Sequence, residues 1–291
     1  MSDNYQLDKA RVRASFDRAA GTYDAAAVLQ TEVRQRMFER LELIKLQPQC
    51  ILDAGCGTGH GSELLSQRFP MADVLSLDIA MGMLKMTLAR RSLIQRLFGR
   101  QSRTGICADI EHLPLAGQSL DLIWSNLAIQ WCNDLDRAFG EMHRSLRAGG
   151  LVMFSTFGPD TLKELRAAAS VDAGHVHVSR FIDMHDIGDA LVRAGFSAPV
   201  LDVEHFVLTY DDVLGVMRDL KAIGAHNAAQ GRNRGLLGRG FLEKLTAAYE
   251  RFRSEDKLPA TYEVVYGHAW KPEPKADLPD GLAPVTFRSR Q

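Results

Sequence analysis

Two patterns of hydrophobic positions divide the 291-residue chain. Residues 7–20 and 28–46 place apolar side chains at helical spacing, and the stretch AAGTYDAA separates the two runs. From residue 50 to residue 157, short apolar runs alternate with amphipathic runs. Strands that are apolar throughout and that alternate with helices are typical of a parallel sheet covered on both faces. The pattern therefore predicts an α/β fold.

The pattern changes after residue 157. TLKEL predicts the start of a helix, with Thr161 and Glu164 at capping-box spacing. MHDIGDALVRAGF predicts another helix, and VLDVEHFVLTY and TYEVVYGHAW predict two late strands with mostly helical chain between them. Residues 271–291 are polar and rich in proline, which favours a flexible tail.

Composition excludes several classes of protein. The chain is 46% hydrophobic and 24% charged with a formal net charge of -1, which argues against a dedicated nucleic-acid-binding protein. It contains neither an apolar run long enough to cross a bilayer nor the apolar core of a signal peptide. Its four cysteines lack metal-ligand spacing, so we expect a cytoplasmic protein with free thiols, no bound metal and no membrane association.

The most informative stretch is ILDAGCGTGHG, in which four glycines occupy alternate positions from Gly55 to Gly61. The dinucleotide fingerprint fails because His60 stands where its third glycine belongs, and the phosphate loop fails because no lysine follows. Glycines at the end of a strand permit a tight turn and close approach of a ligand to the backbone. A helix that begins near Thr58 directs free N–H groups at an anion, either a carboxylate or a phosphate.

Three acidic residues fall where predicted strands end: Asp53, Asp78 and Asp109. Ligands of open α/β sheets bind at the carboxyl ends of the strands. Asp78 can accept hydrogen bonds from two ribose hydroxyls, Asp109 can accept from an adenine amino group, and Asp53 can neutralise an ammonium. Together with a carboxylate site on the glycine loop, these groups fit S-adenosylmethionine. The alternative is that they are ordinary strand-end residues.

The segments LDAGCGTG, LDIAMGML, ADIEHLP and DLIWSNLAIQW resemble class I S-adenosylmethionine-dependent methyltransferases over about residues 50–155. The resemblance implies a seven-stranded, mostly parallel Rossmann-like sheet with helices on both faces and a final antiparallel hairpin. It also implies that Met83 lies against the adenine and that Asn126 faces the reaction. The predicted cofactor-binding residues are Arg13, Asp53, Gly55, Gly57, Gly59, Asp78, Met83, Asp109, Ile110 and Asn126.

Segments outside this core extend the resemblance to about residue 270. VRASFDRAAGTYDAAAVLQ, FGPDTLKELR, HVHVSRFIDMHDIGDALVRAGF and LKAIGAHNAAQGRNRGLLGR resemble malonyl-acyl carrier protein O-methyltransferases of biotin synthesis. This resemblance implies transfer of a methyl group to the free carboxylate of a malonyl thioester, an early step towards biotin. It implies one domain over residues 1–270, with a helical lid (1–46), a cofactor-binding core (47–157) and acceptor-side helices and strands (158–270).

A carboxylate acceptor is already ionised near pH 7, so the reaction needs alignment and exclusion of water rather than a general base. Arg180 is the first candidate to bind the malonyl carboxylate, because a guanidinium binds carboxylates in a bidentate manner. Arg13 is the second candidate, and its alternative role is to hold the cofactor. Tyr23 and Phe16 are candidates to close over the cofactor, with Tyr23 as a positioning residue.

Basic runs suggest a protein partner, because no acidic residue occurs between Ile79 and Ala108. Acyl carrier proteins are strongly acidic, so positive patches would steer their encounter. The proposed docking residues are Arg90, Arg91, Arg96, Arg232 and Arg234.

Other interpretations remain open. The basic runs can equally be solvated helix faces, and nucleic acid is another partner for positive charge. As a whole, the chain can also be a methyltransferase for another small acid or a quinone precursor, or a methyltransferase-like assembly factor of respiratory complexes.

Overall fold

A computed structural model describes residues 6–90, 103–170, 181–225 and 239–274. Seven strands form one sheet in the order β3-β2-β1-β4-β5-β7-β6, in which β7 runs antiparallel to both of its neighbours. The fold class predicted from the sequence is confirmed. The strands are β1 (Cys50–Ala54), β2 (Asp73–Asp78), β3 (Arg103–Cys107), β4 (Leu120–Asn126), β5 (Leu146–Phe157), β6 (Ser197–Tyr210) and β7 (Leu258–Trp270).

Helices lie along the chain between and around these strands. In the described residues they are α1 (Lys9–Ala19), α2 (Tyr23–Ala26), α3 (Val28–Glu42), α4 (His60–Arg68), α5 (Met81–Ala89), α6 (Leu135–Ser145), α7 (Lys163–Ala169), α8 (Met184–Arg193), α9 (Val213–Ala222) and α10 (Arg239–Glu250). A short 3-10 turn, Ile129–Trp131, follows β4. No helix among the described residues is both long and apolar enough to cross a membrane.

The apolar central strands contribute side chains to two hydrophobic cores, one on each face of the sheet. Ile51 and Leu122 are fully buried on one face of the sheet with Trp124, and Leu52 and Ile123 are fully buried on the other. Because neighbouring residues of a strand point to opposite faces, an all-apolar strand is what a doubly covered sheet requires.

Two local predictions were wrong. The segment AAGTYDAA is not simply a break, because it contains α2. Thr161 and Glu164 form no capping box. Instead the Thr161 hydroxyl donates to the Glu263 carbonyl, and the Glu164 carboxylate accepts the Thr261 N–H at 3.1 Å and its hydroxyl at 2.5 Å. Partners on β7, about a hundred positions away, displaced the local pairing.

Helices α1 and α2 lie over the carboxyl ends of the strands, and we call residues 6–26 the cover. α1 packs against α5, where the Gly82 N–H donates to Asp17 Oδ1 at 2.6 Å. Phe16 of α1 contacts Trp131 edge-to-face, with ring centroids 5.3 Å apart. The cover thus closes a space above the ends of β1, β2 and β4.

Candidate active site

A cavity lies beneath the cover at the carboxyl ends of the strands. Eight of the predicted site residues line it together: Tyr23, Gly55, Gly57, Asp78, Met83, Asp109, Ile110 and Asn126. Val12, Phe16 and Trp131 add apolar wall from the cover and from the turn after β4. The position agrees with the general rule that ligands of open α/β sheets bind beyond the strand ends.

The glycine loop needs its glycines for two different reasons. Gly55 has φ 81°, and a Cβ there would lie 2.2 Å from the Ala128 Cβ, so only glycine fits. Gly57 has φ 55°, lines the cavity, and would direct a Cβ into open space. A side chain at Gly57 would therefore occupy room that a ligand needs, while the Gly55 and Cys56 N–H groups bind the loop to the Leu77 carbonyl at 2.7 and 2.9 Å.

Asp78 is the best-oriented acid in the cavity. Its Oδ2 accepts the Gly57 N–H at 2.9 Å and its Oδ1 accepts the Ala80 N–H at 2.8 Å. These bonds fix the carboxylate plane and leave each oxygen able to accept a further hydrogen bond from a ligand hydroxyl. Burial raises the pKa of Asp78 to about 7.

Asp53, Gly59 and Arg13 are absent from the cavity wall among the described residues. Asp53 is buried behind the loop and accepts the Ser62 hydroxyl at 2.6 Å, and burial raises its pKa to about 6. Gly59, with φ 91°, packs against Thr87, and Arg13 is exposed on α1. Asp53 and Gly59 thus support the loop from behind.

Asp109 is held by a residue that the sequence did not indicate. Lys9 Nζ lies 3.0 Å from Asp109 Oδ2 and also pairs with Glu111, and Lys9 lines the cavity. Glu111 is itself buried and accepts the Asn133 and Asp134 N–H groups at 3.1 and 2.7 Å. No local motif marks Lys9, because its partners lie about a hundred positions along the chain.

The other end of the cover is fastened by Asp24. Its carboxylate accepts the Thr58 hydroxyl at 2.5 Å, pairs with Arg90, and lies 3.3 Å from His60 Nε2. Arg90 also donates to the Thr58 carbonyl at 2.7 Å. A sequence signal existed here: the stretch FDRAAGTYD contains both Asp17 and Asp24, the two acids that bind the cover to the core.

Two neutral polar side chains face the cavity between these fastenings. Burial raises the pKa of the Tyr23 phenol, so it stays protonated and acts as a hydrogen-bond donor rather than a base. Asn126 Nδ2 donates to the Gln30 carbonyl at 3.2 Å, and its Oδ1 accepts the Ser155 hydroxyl at 2.9 Å. The amide is therefore held in one orientation.

Several predicted residues lie outside the described residues: Arg180, Arg91, Arg96, Arg232 and Arg234. Arg90 is among the described residues. Its guanidinium forms an ion pair with Asp24 and donates a hydrogen bond to the Thr58 carbonyl of the glycine loop.

One group of side chains away from the cavity has metal-ligand chemistry. Asp160, His205 and Glu263 place ligand atoms within 4.8 Å of one another. Asp160 pairs with Lys163 at 3.0 Å, and Glu263 accepts the Asp160 N–H at 2.6 Å, so both carboxylates already have partners.

Comparison with known proteins shows that almost the whole chain is similar to methyltransferases. A family model described as a methyltransferase domain matches residues 52–154. A malonyl-[acyl-carrier protein] O-methyltransferase of Methylovorus sp. (strain MP688) is 72% identical over 289 residues, covering 99% of this chain and 98% of that protein. One from Gallionella capsiferriformans (strain ES-2) is 57% identical and covers 97% of each chain. A putative methyltransferase structure from Bacillus halodurans shares the fold, with a TM-score of 0.58 and 16% identity over 82% of this chain and 99% of that one.

Proposed function

Because the chain belongs to the malonyl-[acyl-carrier protein] O-methyltransferase family, we propose that it methylates the free carboxylate of a malonyl thioester on acyl carrier protein. S-adenosylmethionine is the methyl donor. The observation that carries the proposal is the extent of the likeness, which includes the cover and the acceptor-side elements as well as the cofactor core. The methyl ester formed would serve as an early intermediate of biotin synthesis.

The reaction needs no proton transfer. An oxygen of the malonyl carboxylate attacks the methyl carbon, the carbon–sulfur bond breaks, and S-adenosylhomocysteine leaves with the electron pair. A cation and an anion become two neutral groups, so a cavity that excludes water favours the step. The apolar walls formed by Val12, Phe16 and Trp131 supply such surroundings.

The residues on the cavity wall suit the parts of the cofactor. We assign Asp78 to the ribose hydroxyls, Met83 and Ile110 to the adenine faces, and Asp109 to the adenine amino group. Gly55 and Gly57 give the methionine end close access to the backbone, with Gly59 and Asp53 supporting that loop from behind. Asn126 and Tyr23 lie where they can align the two reacting groups. Arg13 is exposed on the outside of α1, so its assignment to the cofactor has no structural support.

Arg180 keeps its proposed role as the ligand of the malonyl carboxylate. The Arg180→Ala variant should bind the cofactor normally but turn over about a hundredfold more slowly, because a bidentate charge-assisted contact is lost. Calorimetric titration with S-adenosylhomocysteine and initial-rate measurements separate the two effects. Unchanged turnover would remove Arg180 from the acceptor site.

The carrier is further proposed to dock on basic patches that include Arg91, Arg96, Arg232 and Arg234. Arg90 contributes less free charge than its position in the sequence suggested, because it pairs with Asp24.

The decisive experiment measures transfer of labelled methyl to malonyl-carrier protein, malonyl-coenzyme A and free malonate side by side. We expect strong labelling of the carrier-bound acid, in a base-labile methyl ester. Preferential labelling of free malonate would favour a small-acid methyltransferase. Tight cofactor binding with none of the three labelled would reject the proposal and favour another acceptor, such as a quinone precursor, or an assembly-factor role.

A further inference from the structure

One helical surface outside the cavity carries positive charge that its neighbours do not neutralise. It is the solvent-exposed surface of α1 and α5 taken together, and the two helices touch where Gly82 lies against Asp17. We call it the α1–α5 face. Its exposed cations are Arg11, Arg13, Arg18 and Lys85.

These four cations form no ion pair with any carboxylate in the part of the chain that the structure describes. The face has two carboxylates of its own, and both accept backbone N–H groups: Asp8 from Arg11 at 3.1 Å and Asp17 from Gly82 at 2.6 Å. Several exposed arginines elsewhere are paired, as Arg193 is with Asp136 at 2.8 Å. Four cations against these two carboxylates leave the α1–α5 face with a net charge of +2.

The same face exposes large apolar side chains. Met81 and Met86 of α5 are 48% and 37% exposed. Met86 lies one helical turn beyond Gly82 and so on the side of α5 that faces α1. Apolar side chains, methionine among them, surrounded by charge are typical of protein interfaces.

Resting on the proposed function, we propose that the α1–α5 face is the surface on which the acidic carrier protein docks. Charge complementarity selects an acidic partner. The position also fits, because the inner sides of the same helices, through Val12, Phe16 and Met83, line the cavity. A helix with its side chains is about 10 Å across, so a docked carrier needs its flexible prosthetic arm to pass only one helix to reach the acceptor site.

Charge reversal tests the face directly. The double variant Arg11→Glu/Lys85→Glu is compared with Lys45→Glu/Lys244→Glu. The control makes the same change of net charge at exposed residues elsewhere, in the loop after α3 and on α10. The substrates are malonyl-carrier protein and malonyl-pantetheine, which presents the same reacting group without the protein. We expect kcat/KM for the carrier to fall about tenfold in the first variant only. We expect little change for malonyl-pantetheine, and the loss should shrink as salt rises.

The possible outcomes distinguish failure of the proposed docking face from failure of the proposed function. Equal losses on both substrates, an equal loss in the control variant, or no loss would each overturn the docking face while leaving the methyl transfer intact. If the unmodified enzyme methylates neither thioester, the proposed function itself fails. Binding of the α1–α5 face to single-stranded RNA rather than to the carrier, measured with the same variants, would assign the charge to nucleic acid instead.

Discussion

The floor and the cover of the cavity are held in different ways. The floor is the glycine loop and the ends of β1 and β2, fixed by backbone hydrogen bonds such as those from Gly55 and Cys56 to Leu77 and by the buried Asp78. The cover is fastened to the core largely by side chains, Lys9 at one end and Asp24 at the other. A surface held by partly exposed ion pairs opens more easily than one held by a sheet. The floor should therefore set how tightly the cofactor binds, and the cover how fast it enters and leaves.

Removing Asp78, the acidic residue of the floor, should have the largest effect on the affinity for S-adenosylmethionine. Asp78→Ala deletes an acceptor for two ribose hydroxyls, and hydrogen bonds to charged groups contribute about 1.5–3 kcal/mol each. We expect S-adenosylmethionine to bind about a hundredfold more weakly or worse, measured by calorimetry. Unfolding monitored by circular dichroism is the control. Binding within about twofold of normal would mean that the ribose lies elsewhere.

The same acid should make binding depend on pH. Its pKa of about 7 means that it is mostly protonated at pH 6 and mostly ionised at pH 8. Ribose hydroxyls donate hydrogen bonds to the ionised carboxylate, so binding of S-adenosylmethionine releases the proton of Asp78. The affinity for S-adenosylmethionine should therefore rise about tenfold between pH 6 and pH 8. Asp78→Asn should bind weakly at every pH and lose this dependence. If the Asp78→Asn variant kept the pH dependence of affinity, another ionisable group would be responsible for it. Asp53 is the nearest candidate.

A smaller change is expected at the first fastening of the cover. Lys9→Met leaves Asp109 and the buried Glu111 without their cation. Because the ion pair is partly exposed, we expect its loss to lower the free energy that holds the cover closed by about 1 kcal/mol. Stopped-flow measurements should then show roughly fivefold faster release of S-adenosylhomocysteine. Lys45→Met, at an exposed position in the loop after α3, is the matched control. Equal release rates in all three proteins would show that the cover does not limit access.

The smallest change is expected at the second fastening. Asp24→Asn keeps the hydrogen bond from Thr58 but loses the ion pair with Arg90. We expect about a twofold increase in the release rate at low salt. Raising salt should then accelerate release from the unmodified protein more than from the variant. Identical salt dependence would show that this end is held by the hydrogen bond alone.

The floor was predictable from the sequence, whereas the cover was predictable only in part. Phe16 and Tyr23 were expected to close over the cofactor and do line the cavity, but the side chains that fasten the cover to the core were not predicted. Gly55, Gly57 and Asp78 lie within a few positions of a strand end, where backbone geometry alone decides what each can do. Asp53 was correctly predicted at the end of a strand, but its side chain is buried, because the Ser62 hydroxyl of α4 packs against it and donates to it. Lys9 carried no signal, since its role exists only through Asp109 and Glu111.

The wrong capping box at Thr161 has the same cause. A local pattern predicts a local bond until a distant strand offers a better partner, as β7 does here. Residues fixed by their own neighbours can be assigned from the sequence, whereas residues fixed across the fold require the structure.

The contact that begins the cover has a consequence for synthesis. The Leu7 N–H donates to Asn133 Oδ1 at 2.7 Å and Asn133 Nδ2 returns a bond to the Leu7 carbonyl at 3.0 Å, across 126 positions. A ribosome adds roughly 5–20 residues per second, so about 6–25 s pass between the two partners. The start of the cover therefore cannot dock until Asn133 has been synthesised. During that interval the apolar side of α1 is open to water and to chaperones.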